Sequence, residues 1–109
     1  MTRAIAVAVL LVVSSGAAFA QQAGDADRGH AYARMVCSAC HSVEMSGAPS
    51  PNRDAPVWLD IANTSGMTAS ALAVFLSTPH QKMPDLVIAS PDMQDIIAYI
   101  LTLRRVPPL

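Results

Sequence analysis

The sequence predicts a small all-helical domain, and three observations carry that prediction. The chain has 109 residues, which suffices for one domain. Apolar residues near the C-terminus recur with helical spacing, at positions 93, 96, 97, 100 and 101. Strand signals are nearly absent, because no stretch alternates apolar and polar residues for long and no Asn-Gly or Asp-Gly turn occurs.

The composition excludes several classes of protein. Only 14% of the residues are charged and the formal net charge is −1, whereas a nucleic-acid-binding protein carries a basic surplus. The low charge also argues against an intrinsically disordered chain. Two cysteines are too few for a disulfide-dense scaffold.

The first 20 residues have the layout of a secretory signal peptide. Arg3 precedes an unbroken apolar run over 4–13, and small residues at Ala18 and Ala20 favour cleavage after Ala20. The run is too short to span a bilayer core, which needs about 20 apolar residues; an uncleaved anchor is the alternative. We therefore expect residues 21–109 to form the mature domain in the oxidising periplasm.

The first predicted element of the mature chain is a helix over 27–39. It would place Tyr32, Met35 and Val36 on one face. The stretch 42–56 that follows is rich in Pro, Ser, Gly and Asn, which is typical of a loop.

Two shorter elements are predicted in the middle of the chain. One short helical turn is expected over 57–62. A helix over 69–77 is predicted to be capped by Thr68 and ended by Pro79.

The strongest helix signal lies at the C-terminus. Ser90 is a natural N-cap, and Pro91 suits the first helical position. Arg104 and Arg105 favour the other end, and Pro107-Pro108 would stop the helix. About three main helices with long loops supply little core for so small a domain, so another group is expected to fill its centre.

Residues 37–41 (Cys-Ser-Ala-Cys-His) form a C-x-x-C-H motif, the attachment site for c-type haem. Cys37 and Cys40 can each form a thioether with one porphyrin vinyl group, and His41 then points its imidazole at the iron. A thioredoxin-like dithiol would need a βαβ pattern, which is missing. A zinc site would need two more ligands at suitable spacing, and a structural disulfide would leave His41 unexplained.

The face of the haem opposite His41 can take a second axial ligand. A His/Met pair gives an electron-transfer centre, whereas an open face permits ligand binding. Met83 is the best candidate, since it lies in a loop between two helices and Pro84 favours extended backbone at Met83. Met67, in another loop, and His80 remain as alternatives. Core packing is the competing explanation for any methionine.

The sequence resembles the class I c-type cytochromes of the small bacterial periplasmic type, and the resemblance runs through most of the mature chain. It rests on the C-S-A-C-H motif, on Met83-Pro84, and on an aromatic-bearing terminal helix. Further matching residues are Gly29, Tyr32, Ala55-Pro56, Trp58, Thr68, Leu72, Phe75-Leu76, residues 96–100 and Leu103.

The resemblance implies a small cytochrome c fold wrapped around one covalent haem c. It implies His41 and Met83 as the axial ligands, and an exposed haem edge. It also implies that the first and last helices cross at Gly29, with Tyr32 and Tyr99 near the contact.

The sequence departs from the family after the haem motif, where many members carry Gly-Pro and the proline carbonyl accepts the Nδ1 proton of the ligand histidine. Such a bond orients the ring and tunes the metal. We predict Pro51 as that acceptor, with a plain loop proline as the alternative. Trp58 and Arg53 are candidates to contact the haem propionates; core packing for Trp58 and a solvated charge for Arg53 are the alternatives.

The predicted function is that of a monomeric periplasmic one-electron carrier and not an enzyme. Its partners would be redox proteins: a dehydrogenase or quinol-oxidising complex as donor, and an oxidase or reductase as acceptor. No nucleic-acid binding and no membrane span after processing are expected. Two alternatives stay open: a fixed haem subunit of a periplasmic dehydrogenase, and a haem enzyme or gas sensor with a labile Met83.

Overall fold

The computed structural model describes residues 24–105, and within that range it contains α-helices and no strand, which confirms the all-helical prediction. The helices are α1 (Ala26–Tyr32), α2 (Trp58–Ala62), α3 (Ala69–Ser77) and α4 (Ser90–Thr102). The predicted signal peptide, 1–20, and the predicted stop at Pro107-Pro108 lie outside the described residues. No helix within 24–105 has the length and apolar character needed to cross a membrane.

The first helix begins at Ala26 and changes its winding halfway along. The Asp25 side chain caps it by accepting hydrogen bonds from the next turn's backbone N–H groups. From Ala33 to Cys37 the chain is π-helical, and the Ser38 N–H donates to the Ala33 carbonyl at 3.0 Å.

This π-helical segment changes which side chains face the core. A π-turn holds more residues than an α-turn, so the side chains after it are rotated relative to the α-helical pattern. Ala33 is fully buried, whereas Met35 is 79% exposed and Val36 is also exposed. Met35 and Val36 thus lie outside the buried core of residues 24–105.

The closest helix contact is the crossing of α1 with α4, as the family resemblance implied. A Cβ atom at Gly29 would lie 1.9 Å from the Asp95 carbonyl oxygen, and one at Gly24 would lie 2.0 Å from the Gln94 carbonyl oxygen. Only glycine permits this approach of two backbones. Gly24 was not anticipated from the sequence.

A buried carboxylate holds the crossing together. Asp95, on α4, accepts from the Asp25 backbone N–H at 2.7 Å and lies 3.2 Å from Arg28 Nε. Since a buried charge is costly without partners, these contacts explain why an aspartate is tolerated at the helix interface.

The remaining helices follow the predictions with one correction. Thr68 caps α3 by accepting from the Ala71 N–H at 3.0 Å. The N-cap of α4 is Ala89 and not Ser90, because the Met93 N–H already donates to the Ala89 carbonyl at 2.9 Å and Ser90 is thereby the first helical residue.

The buried core lies around α2 and the C-terminal half of α4, with one residue each from the π-helical segment, from α3 and from the loop after the C-x-x-C-H motif. Its members are Ala33, Val43, Trp58, Leu59, Ala62, Leu72, Ile96, Tyr99, Ile100 and Leu103. The core thus lies directly beside residues 37–43, and this contact fixes the backbone of the motif relative to the helices.

Candidate haem-binding site

The C-x-x-C-H motif is a compact turn at the end of the π-helical segment. The Cys37 carbonyl accepts from the Cys40 N–H at 3.2 Å and from the His41 N–H at 2.9 Å. Both thiols are free and half-buried, and burial raises the pKa of the Cys37 thiol. The turn therefore holds two thiols and an imidazole on adjacent backbone.

The His41 ring is held by the carbonyl of Pro56, which lies 2.7 Å from Nδ1. The predicted acceptor, Pro51, is wrong. The reason is the path of the loop: the Trp58 N–H donates to the Ser42 carbonyl at 3.0 Å, which brings the chain just before Trp58 back beside His41.

This hydrogen bond also selects the tautomer of the neutral ring. A carbonyl oxygen only accepts, so Nδ1 of His41 carries the proton and donates it to Pro56. In a neutral imidazole the other nitrogen, Nε2, then has a free lone pair, which is the form that binds a metal.

Trp58 is buried against the motif, and its ring centroid lies 6.2 Å from that of His41 and 6.1 Å from that of Tyr99. Its indole N–H makes no hydrogen bond with another residue of 24–105. Both interpretations of Trp58, core packing and a polar contact to a cofactor, thus fit its position. Arg53 is exposed in the loop.

Met83 lies in the segment between α3 and α4 and is half-buried. It lines a cleft of about 200 Å³ together with Phe75 and Leu76 of α3 and the extended residues 84–88. The residue before it, Lys82, has a left-handed backbone (φ 68°), and the residue after it, Pro84, restricts Met83 to extended conformations.

Of the other candidate ligands, His80 lines the same cleft as Met83, whereas Met67 lies outside it. The His80 ring stacks on Phe75, with centroids 5.5 Å apart, so it is not simply a solvated loop residue. Met67 packs partly against the helical core, and its carbonyl accepts from the Arg104 side chain.

A polar cluster behind the motif was not anticipated from the sequence. Glu44 lies 2.8 Å from His30 Nε2 and 2.6 Å from Arg34 Nε, and the hydrogen bond from Arg34 lowers the pKa of Glu44. His30 stacks on Tyr99, whose hydroxyl donates to the Val43 carbonyl at 2.5 Å. Nothing in the local sequence pattern around His30 indicates a partner 14 residues away.

Comparison with known proteins agrees with this geometry. The family model described as Cytochrome c matches residues 26–104. The chain belongs to the cytochrome c family. It is 34% identical over 98 residues to "Cytochrome c-552" of Bradyrhizobium diazoefficiens, a match that covers 90% of this chain and 92% of the relative. No solved structure matches the chain.

Membership of the cytochrome c family means a covalent haem c and a role in electron transfer, and the residues present fit that group. Two free half-buried thiols stand beside an imidazole whose Nε2 has a free lone pair. Phe75 and Leu86 present apolar surface around the cleft at Met83, as contact with a porphyrin requires. When bound, the haem supplies an iron that changes between two oxidation states.

Proposed function

We propose that this protein is exported and carries one electron at a time. In this proposal Cys37 and Cys40 attach the haem, and His41 and Met83 are its axial ligands. The observation that carries the proposal is the hydrogen bond from His41 Nδ1 to the Pro56 carbonyl. It prepares Nε2 for iron, orients the ring, and increases the basicity of the ligand.

Two features of the chain support Met83 as the second ligand. Its backbone is constrained on both sides, by the left-handed Lys82 and by Pro84. Its side chain lines a cleft with apolar walls, and a thioether ligand in such surroundings favours a raised reduction potential.

Trp58 and Arg53 remain candidates to bind the haem propionates. The indole N–H of Trp58 is a donor on a ring that lies next to the His41 ring. Arg53 lies in the same loop as Pro56 and offers a guanidinium to a carboxylate.

The proposed setting is the periplasm, after cleavage of the signal peptide at Ala20. The related cytochrome c-552 is a bacterial protein, which supports an exported carrier. Donors would be a dehydrogenase or a quinol-oxidising complex, and acceptors an oxidase or a reductase. Docking is expected to be brief and through a small interface.

An absorption spectrum of protein made with haem-maturation machinery tests the ligation. We expect covalent haem and a sulfur-to-iron charge-transfer band in the oxidised protein. Met83→Ala is expected to abolish this band, whereas the matched variants Met67→Ala and His80→Ala retain it. Survival of the band in Met83→Ala would refute Met83 as the ligand.

The second candidate function is that of a fixed subunit of a dehydrogenase. Such a subunit needs exposed apolar surface that the larger protein covers, and this chain has such surface. Val87 is fully exposed, and Val74 on α3 is 64% exposed. Gel filtration of a native extract separates the two functions: a carrier elutes alone, and stable co-elution with a larger enzyme would establish the subunit. Tight carbon monoxide binding by the reduced protein would instead indicate a labile Met83 and a gas-binding function.

A further inference from the structure

We propose that the ion pair between Lys82 and Asp54 is a clasp that keeps the Met83 loop closed over the iron site. The inference rests on the proposed ligation by Met83 and extends it to the control of loop opening. Lys82 and Asp54 would be positioning residues, since they act on Met83 and not on the iron itself.

The clasp joins the loop that carries Met83 to the loop whose Pro56 carbonyl holds His41. Lys82 Nζ lies 3.3 Å from Asp54 Oδ2, a contact across 28 residues of sequence. Lys82 immediately precedes Met83, and Asp54 lies two residues before Pro56, whose carbonyl holds His41. The pair therefore links the Met83 loop to the loop that orients the histidine.

The Asp54 end of the clasp is anchored in a turn. Asn52 donates its backbone N–H to the Cys40 carbonyl at 3.1 Å, within the haem motif itself. The Asn52 side chain accepts from the Asp54 N–H at 2.9 Å, and the Ala55 N–H donates to the Asn52 carbonyl at 3.0 Å. The carboxylate of Asp54 is thus presented by backbone that is attached to the motif.

The Lys82 end has an unusual backbone. Lys82 is the one non-glycine residue within 24–105 with a positive φ, 68°. This conformation is unfavourable for a lysine and persists only where surrounding contacts hold it. Among residues 24–105, the ion pair to Asp54 is the one hydrogen bond that the Lys82 side chain makes.

The exposure of the two side chains determines how strongly the ion pair can slow loop opening. The Lys82 and Asp54 side chains are 73% and 63% exposed, so water and salt screen their attraction. Removing either charge is expected to raise the rate of loop opening about two- to five-fold, as the measured range for exposed pairs implies. The effect on the rate of opening should vanish at high salt, because salt screens the attraction between the two charges. A purely packing role would not depend on ionic strength.

The rate at which saturating imidazole displaces the methionine from ferric protein tests the clasp, since loop opening then limits the rate. Lys82→Gln and Asp54→Asn are each expected to increase it about two- to five-fold at low salt. The double variant should be no faster than the single ones, and wild type should approach them near about 1 M NaCl. The exchanged pair, Asp54→Lys with Lys82→Asp, should restore the slow rate.

Asp60→Asn is the matched control. Asp60 is an exposed acid on α2, outside the cleft at Met83, and it makes no ion pair with any residue of 24–105, so its removal should leave the rate unchanged. Unchanged rates in Lys82→Gln and Asp54→Asn, or an exchanged pair as fast as the single variants, would overturn the clasp. Absence of the sulfur-to-iron band in wild type would instead overturn ligation by Met83, so the two failures are distinguishable.

Discussion

The carbonyl oxygen of Pro56 lies 2.7 Å from Nδ1 of His41, although 15 residues separate the two along the chain. The chain on either side of Pro56 is held beside residues 40–42, by the Asn52 N–H to the Cys40 carbonyl and by the Trp58 N–H to the Ser42 carbonyl. The orientation of the histidine ring therefore depends on this loop, and substitutions in the loop should change that orientation.

Pro56→Gly is expected to raise the reduction potential. The carbonyl remains, but the freer backbone holds it less firmly, so the imidazole becomes less basic and stabilises the oxidised iron less well. The shift should stay below about 59 mV, the value of a tenfold change in relative affinity for one electron. Potentiometric titration measures it, with Pro51→Gly in the same loop as control; a larger shift in Pro51→Gly would return the acceptor role to Pro51.

Gly29→Ala is expected to destabilise the fold. The added Cβ would meet the Asp95 carbonyl oxygen at 1.9 Å, so α1 and α4 must separate. The cost should be about 1–3 kcal/mol, as for overpacking elsewhere. Urea unfolding measures it, and Ala31→Ser on the exposed face of α1 is the control; equal midpoints for the two variants would contradict the close crossing.

Tyr99→Phe is expected to cost about 1–3 kcal/mol, because it leaves the Val43 carbonyl, on the buried side of the motif, without its donor. The ring itself stays and keeps its stacking on His30. Urea unfolding should show a lower midpoint with an unchanged slope. Tyr32→Phe is the companion variant: its hydroxyl makes no hydrogen bond within residues 24–105, so a similar loss there would argue against the bond to Val43.

Glu44→Gln is expected to remove part of the acid sensitivity of the fold. The hydrogen bond from Arg34, with a smaller contribution from His30, holds the pKa of Glu44 below its ordinary value of 4.5. A lowered folded-state pKa stabilises the protein above the ordinary value, and that stability is lost as the pH falls through the lowered one. The contribution should be about 0.2–1 kcal/mol, because the pair is largely exposed.

The free energy of unfolding measured from neutral pH to below pH 4 checks this prediction. Wild type should lose more stability than Glu44→Gln across the acid range. Asp60→Asn serves as control, since Asp60 is exposed and pairs with no cation among residues 24–105. Parallel curves for wild type and Glu44→Gln would show that the cluster does not stabilise the fold.

The sequence alone determined the features that depend on neighbouring residues. The C-x-x-C-H motif needs only five consecutive positions, the α3 cap at Thr68 acts within one turn, and the periodic pattern of α4 repeats along a single helix. Each of these is local, so one stretch of sequence contains all the groups involved. The choice between haem attachment and other uses of two cysteines was settled in the same way, by His41 following directly after Cys40.

The tertiary structure decided whatever depends on distant groups meeting. Pro56 and not Pro51 reaches His41 because a hydrogen bond at Trp58 returns the loop, and Met35 and Val36 face solvent because the helix there is π-wound. The partners of His30 and Lys82 lie 14 and 28 residues away, beyond any periodicity that a sequence shows. The local sequence thus predicts the cofactor and its attachment residues, whereas the tertiary structure determines which groups orient the ligands.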